Sequence, residues 1–219
     1  MSTRRNLIAG FGVALGSAGI AIAPGIYGLI RPPKVPFEFG SPGPDVESTL
    51  GPAPATGTLV PTLGQTQGPF HQLNSPRRRD IRDGYPGDST LVVRGYVLDT
   101  GGRPRAGYVL DFWQTDETAR YDTAGYRYRG HQFTDRQGRY ELITVSPRPY
   151  TNSGQWRTAH IHAKVQGPAT SVLTTQLYLQ DFADQNAIDT IYHPSLLMAE
   201  SGSEGSARHL RFDFVVADV

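Results

Sequence analysis

His160-Ile161-His162 concentrates more metal-binding chemistry than any other tripeptide in the chain. In an extended strand, residues i and i+2 share a face. The two imidazoles and Lys164 then point one way, while Ile161, Ala163 and Val165 point the other way, into a core. Two imidazoles on one face can share a metal ion; the plain alternative is a surface strand with two solvated histidines. What completes the pair is open. The chain has no cysteine, which excludes thiolate ligands, disulfides and a cysteine nucleophile. Neither His-Glu-x-x-His nor Glu-x-x-His occurs, but Asp111, Asp122, Asp135 or Asp181 could complete a two-histidine, one-carboxylate set. The 11 tyrosines offer another route. Phenolate is a hard anionic donor suited to iron(III), whose charge would lower a phenol pKa from its usual value of about 10. Tyr150 follows Pro147-Arg148-Pro149 just before the histidine strand, and Tyr121 lies in the loop after Trp113-Gln114. Any one tyrosine otherwise reads as an amphipathic ring packed at a core or rim.

The elements that must carry these residues read as strands and turns. Leu91–Asp99 is rich in β-formers and ends at Thr100-Gly101-Gly102. Gly107–Gln114 forms a second strand with Tyr108, Leu110 and Phe112 on one face. Asp135-Arg136-Gln137-Gly138 is a turn before a strand at Arg139–Val145. Trp156–Val165 carries the histidines, Val172–Leu179 follows, and Arg208–Val216 alternates Leu210, Phe212, Phe214 and Val216. A weak helix is expected near Asp184–Thr190. With 25 Gly, 17 Pro and 38% hydrophobic residues, this pattern predicts an all-β fold, an antiparallel β-sandwich with long irregular loops and little helix. The net charge of +1 gives no reason to expect a nucleic-acid partner.

Ahead of this domain, Arg4-Arg5 precedes an apolar, glycine-rich stretch without a charge until Arg31. It resembles a twin-arginine export signal; a membrane anchor is the alternative, and both place the domain across the membrane. Ala21-Ile22-Ala23 has the form of a cleavage site, although Pro24 after it disfavours cutting. The expected organisation is a signal or anchor at 1–30, a Pro/Gly-rich linker or unpacked arm at 31–63, and a catalytic β-sandwich at 64–219.

Four blocks in order resemble the intradiol ring-cleavage dioxygenases, especially the protocatechuate 3,4-dioxygenase type. They are Gln65-Thr66-Gln67-Gly68-Pro69-Phe70; Asp80-Ile81-Arg82-Asp83-Gly84-Tyr85-Pro86-Gly87; Gly95 to Asp99 through Asp111-Phe112-Trp113-Gln114 to Arg120-Tyr121-Asp122; and Pro149-Tyr150 with Trp156 to His162 and Thr174 to Tyr178. The resemblance covers about residues 64–215. It implies a mononuclear non-haem iron(III) held by Tyr121, Tyr150, His160 and His162, with a solvent-derived fifth ligand. It also implies catalytic roles for Tyr150 as a base, for Arg157 beside the substrate and for Gln176 near the metal. Gly68, Pro69, Phe70 and His71 would border the pocket. The implied reaction opens a catechol-type ring with O₂, between its two hydroxylated carbons, to a muconate-type dicarboxylate. The family pattern is departed from at Thr151-Asn152, where an aromatic is common, and at Thr158, where proline is usual. These departures bear on which catechol is bound. A second copy or a related partner subunit is compatible with the resemblance. The non-enzymatic alternative is an extracellular sandwich module that only binds. One difficulty is geometric: Arg157 lies three residues before His160, so strand alternation puts it on the opposite face unless the backbone bends.

Overall fold

Alternating apolar residues build two sheets that close on one another. The computed structural model describes residues 42–46, 50–54, 56–82, 84, 90–168 and 170–217; the expected signal or anchor at 1–30 lies outside them. The strands are β1 (Thr90–Asp99), β2 (Val109–Gln114), β3 (Arg129–Phe133), β4 (Arg139–Val145), β5 (Tyr150–Asn152), β6 (Gln155–Arg157), β7 (His160–Gln166), β8 (Leu173–Tyr178), β9 (Ala199–Glu204), β10 (Ala207–Arg211) and β11 (Phe214–Val216), with one short helix, α1 (Ala183–Asn186). One sheet runs β3-β2-β7-β8, antiparallel throughout. The other centres on β1, with β4 antiparallel on one edge and β10 and β11 parallel to it, β9 lying beyond β10. The fold is the expected β-sandwich, except that the chain's last strands run parallel to β1.

The core lies between the sheets. Leu110, Phe112, Ile161, Ala163, Val165 and Leu177 face Val93, Tyr140, Leu142, Leu210 and Phe214, all essentially inaccessible to solvent. Burying each of the Val, Leu, Ile and Phe side chains contributes roughly 1.5–3 kcal/mol. The expected last strand, Arg208–Val216, is interrupted at Phe212-Asp213. Phe212 N donates to Arg94 O at 3.0 Å, and the Asp213 carboxylate accepts from Tyr96 N at 2.9 Å. The register resumes without slip, Arg94 opposite Arg211 and Val97 opposite Phe214. Gly95 makes the close approach possible: a Cβ there would sit 1.8 Å from Phe212 O.

The described parts of 31–63 hold no strand or helix, but they are packed rather than free of the domain. Val46 is buried and donates its N–H to Asp135; Leu59 N and Thr62 N bond Thr100 O and Val215 O. The expected strand over Trp156–Val165 is two strands, β6 and β7, broken at Thr158-Ala159. The helix expected at Asp184–Thr190 is shorter and starts one residue earlier. Its last residue, Asn186, and Asp189 beyond it are buried beneath the β6–β7 break.

Candidate metal centre

The outer face of the four-stranded sheet carries the polar residues. Register places Arg129, Trp113, His162 and Gln176 side by side across β3, β2, β7 and β8, with His160 opposite Tyr178. Loops cover this face, so its histidines are as buried as the core: His160 and His162 are 2% and 1% exposed. Alternation within β7 is as expected, but the histidines face the loops that cover the sheet, not solvent.

Three donor atoms converge. The Tyr121 hydroxyl lies 3.3 Å from His160 Nε2 and 3.1 Å from His162 Nε2, and the two Nε2 atoms are 3.1 Å apart. Donors about 2.1 Å from one metal ion, at angles of 90–109°, are roughly 3.0–3.4 Å from each other. His160 Nδ1 lies 2.6 Å from Thr158 O, so the proton sits on Nδ1 and Nε2 presents a lone pair. Burial, reinforced by the Arg157 cation, drives the His160 pKa down to about 3. Burial and neighbouring His160 push His162 down as well, so neither imidazole is cationic. The three atoms converge on one point, with the His160 Nε2 lone pair facing both of the others, an arrangement that one cation could share. Burial and the adjacent Tyr150 push the Tyr121 phenol well above its ordinary pKa, with Arg157 and Arg129 opposing.

Tyr150 joins from a hairpin. Ser153 and Gly154 both have positive φ, the two-residue turn that matches strand twist. This pairs Tyr150 directly with Arg157 across β5 and β6. The Tyr150 ring lies 5.3 Å from Tyr121 and 5.7 Å from His160, centroid to centroid. Thr115 tethers the preceding loop by bonding both N and O of Arg148. The break at Thr158-Ala159 answers the Arg157 difficulty, because Arg157 and His160 belong to different strands. Arg157 is buried; it pairs with Asp189 at 3.1 Å and donates to Gln176 Oε1. Asp189 also accepts from Thr158 N at 2.9 Å and Ile191 N at 3.0 Å. Proline at 158 could not make the first of these bonds. Gln176 donates to Thr66 O and accepts from Tyr178, tying the 65–71 segment over the histidines.

Within that segment, Gly68 has φ +65°, and a Cβ there would be 3.7 Å from His162 Cε1; its backbone conformation is what favours glycine. Phe70 stacks on Tyr121 at 4.5 Å and meets Tyr150 edge-on. Pro69 is exposed beside it. His71 is turned inward instead of bordering the opening: its side chain is buried, bonded to Asp111 at 3.0 Å and set edge-on against Trp113. Trp113 in turn stacks flat on His162, 4.6 Å away and 3° from parallel. Neither Trp113 nor Asp189 is signalled as a site residue by the sequence, since the first is a generic core aromatic and the second lies 32 residues from its arginine.

The carboxylate alternatives are all committed elsewhere. Asp111 holds His71 and Ser75; Asp122 caps the amides of Ala124, Gly125 and Arg127; Asp135 caps its own turn; Asp181 pairs with Arg208. Among the described residues no three His, Asp or Glu side chains form a metal-holding group. The donor set is two imidazoles and phenolic oxygen, which fits a hard trivalent ion better than a soft one.

A β-sandwich bearing a histidine–tyrosine donor cluster on a loop-covered sheet face defines a narrow class. A family model described as Dioxygenase matches residues 66–218. A chlorocatechol 1,2-dioxygenase of Pseudomonas sp. strain P51 is 32% identical over 173 residues, 68% of each chain. A protocatechuate 3,4-dioxygenase beta chain of Burkholderia cepacia is 31% identical over 112 residues, 45% of this chain and 48% of its own. Among solved structures, the dioxygenase domain of a dioxygenase carbohydrate-binding protein fusion from Streptomyces sp. SirexAA-E superposes with TM-score 0.65 at 39% identity, covering 73% of this chain and 100% of that one. The chain belongs to the intradiol ring-cleavage dioxygenases and is an enzyme of that oxidoreductase class. Relatives of both the chlorocatechol and the protocatechuate type match, so the family, not the protocatechuate subgroup, is what the similarity defines.

Proposed function

We propose that the chain binds one iron(III) through Tyr121, Tyr150, His160 and His162. With O₂ it would cleave a catechol-type ring between its two hydroxylated carbons, giving a muconate-type dicarboxylate. The observation that carries this is the convergence of Tyr121 Oη, His160 Nε2 and His162 Nε2 to within 3.1–3.3 Å, at a place that no carboxylate alternative reaches. Iron(III), when bound, supplies Lewis acidity and a template for the two substrates. The rest is the work of the chain. Thr158 O fixes the His160 tautomer that leaves Nε2 free. Trp113 holds the plane of the His162 ring by stacking. Tyr150, on a half-exposed hairpin, would as the phenolate take a catechol proton at its Oη as a general base and so become the neutral phenol. Arg157, aimed by Asp189 and Gln176, faces the negative charge that develops on the ring. Phe70 shields the Tyr121 side of the cavity from water.

The relatives' names span chlorocatechol, catechol and hydroxyquinol enzymes. The assay is therefore oxygen uptake and product analysis over catechol, protocatechuate, hydroxyquinol, chlorocatechols and larger diols. Iron-replete protein should be burgundy from phenolate-to-iron charge transfer, and should yield ring-opened diacids. A colourless iron-replete protein ends the two-tyrosine site. On the strength of Arg4-Arg5, we also propose that the domain is exported or anchored facing outward. Changing both arginines to lysine should retain it in the cytoplasm; unchanged export refutes this.

A further inference from the structure

Arg129 is a buried cation that the chemistry above does not use. It lies on β3, beside Trp113 in the cross-strand row that leads to His162, and is 1% exposed. Its Nε and Nη2 both donate to one acceptor, the carbonyl of Asp122, at 2.9 and 2.7 Å. Nη1 is buried without a partner. The contrast with its neighbours is sharp: Arg157 pairs with Asp189, Arg127 with Glu117 and Arg94 with Glu141. Among the described residues no carboxylate pairs with Arg129. The two nearest candidates are spent, Asp122 on its own loop amides and Asp111 on Ser75 and His71. A buried guanidinium without a counter-charge is costly even when two of its N–H groups are bonded, so packing alone does not account for it.

We propose that Arg129 is the positioning residue for Tyr121. Its two-pronged grip on Asp122 O fixes the backbone next to Tyr121, so that the hydroxyl meets both imidazoles, and its unpaired charge faces the anionic oxygen donor of the loaded site. The geometry favours this over a general brace of the sheet. Both bonds go to the residue that follows Tyr121, and neither goes to a neighbouring strand. The grip complements the rest of the loop, where Glu117 holds Tyr128 and Arg127 and the Asp116 and Asp122 carboxylates cap backbone amides on either side of Tyr121; Arg129 is the side chain that ties the Asp122 carbonyl to the sheet.

This inference rests on the proposed iron site, and the test separates the two. Full-length wild type, Arg129→Gln and Arg129→Lys are compared first without metal, by hydrogen exchange of the peptide spanning 116–128. Glutamine should speed exchange of the Ala124, Gly125 and Arg127 amides at least about tenfold while β7 is unchanged. The proteins are then titrated with iron(III). Glutamine should weaken binding about 10- to 100-fold and move the charge-transfer band to longer wavelength, with lysine recovering part of both. If Arg129→Gln does not fold, Arg129→Lys alone decides, through faster exchange in 116–128 and a smaller loss of affinity. Unchanged loop exchange in the decisive variant overturns the inference. Equal losses in lysine and glutamine overturn the role of the charge. If wild type takes up no iron, the iron site fails while the exchange arm still judges the grip.

Discussion

Asp189→Asn tests how Arg157, the arginine proposed to face the substrate, is held. The carboxylate is buried and receives three donors: Arg157 Nε at 3.1 Å, Thr158 N at 2.9 Å and Ile191 N at 3.0 Å. Asparagine has nearly the same shape, so no cavity opens. It has one acceptor oxygen, however. With that oxygen toward Arg157 and Thr158, its NH₂ confronts the Ile191 N–H. The substitution removes one partner of a buried ion pair and leaves one buried donor opposed. Removal of a partner costs 3–5 kcal/mol, and the retained acceptor favours the lower end, about 3 kcal/mol. At about 2–4 °C per kcal/mol for a chain of this size, the melting midpoint should fall by about 6–12 °C. Arg157 would keep its Gln176 contact and one neutral hydrogen bond to the substituted amide but lose its counter-charge, so turnover at saturating catechol should fall about 10- to 100-fold, while the iron content is unchanged. Urea unfolding, iron analysis and oxygen uptake on the same preparation provide the measurement. Asp181→Asn is the comparison: that carboxylate is half-exposed in its ion pair with Arg208, and its loss should cost no more than about 1 kcal/mol. If Asp189→Asn is as mild as Asp181→Asn, Arg157 is not held in the way described.

Three further outcomes are expected. Tyr150→Phe should shift or weaken the visible band of the iron-loaded protein; an unaltered spectrum counts against Tyr150 as a ligand. Gly95→Ala drives a Cβ into Phe212 O at 1.8 Å and should destabilise by about 3 kcal/mol in urea unfolding; a loss under about 1 kcal/mol would mean that the β10–β11 interruption yields freely. Burial opposes ionisation of Asp135, but bonds from the amides of Val46, Arg139 and Gln137 and from the Arg139 side chain outweigh it and hold its pKa below the ordinary aspartate range. The folded value is thus lower than the unfolded value of about 3.9, so its stabilisation is complete above that pH and is lost as pH falls through the folded pKa. Asp135→Asn should flatten the stability–pH curve below about pH 4 and leave its shape at about pH 6–8 alone; equal slopes in the two proteins would show that Asp135 is not part of the acid transition.

Much of the sandwich was legible because period-two patterns name faces without any knowledge of partners. Leu210, Phe212, Phe214 and Val216 are all buried as their alternation requires, and Ile161, Ala163 and Val165 oppose His160 and His162. Three strands left no such trace. Tyr150–Asn152 is too short to show a period. Arg129–Phe133 is polar because its outward face is roofed by loops, and Ala199–Glu204 is exposed along its whole length. Strand direction was equally invisible, since alternation is the same whether Arg208–Val216 runs with β1 or against it.

At the site, the sequence by itself determined that two imidazoles share a strand face; resemblance alone supplied Tyr121 and Tyr150. Only the tertiary structure decided the rest. Burial turned surface-competent histidines into neutral, buried donors. The loop after β2 brought a tyrosine hydroxyl against both, and each rival aspartate was drawn off to cap a turn or pair with a base. The break at Thr158 put Arg157 where alternation forbade it. The physical reason is one of range. A strand's faces come from neighbouring residues. Which donor meets which across about 40 residues, and which charge goes unpaired, depends on how loops satisfy their own hydrogen bonds once the sheets are packed.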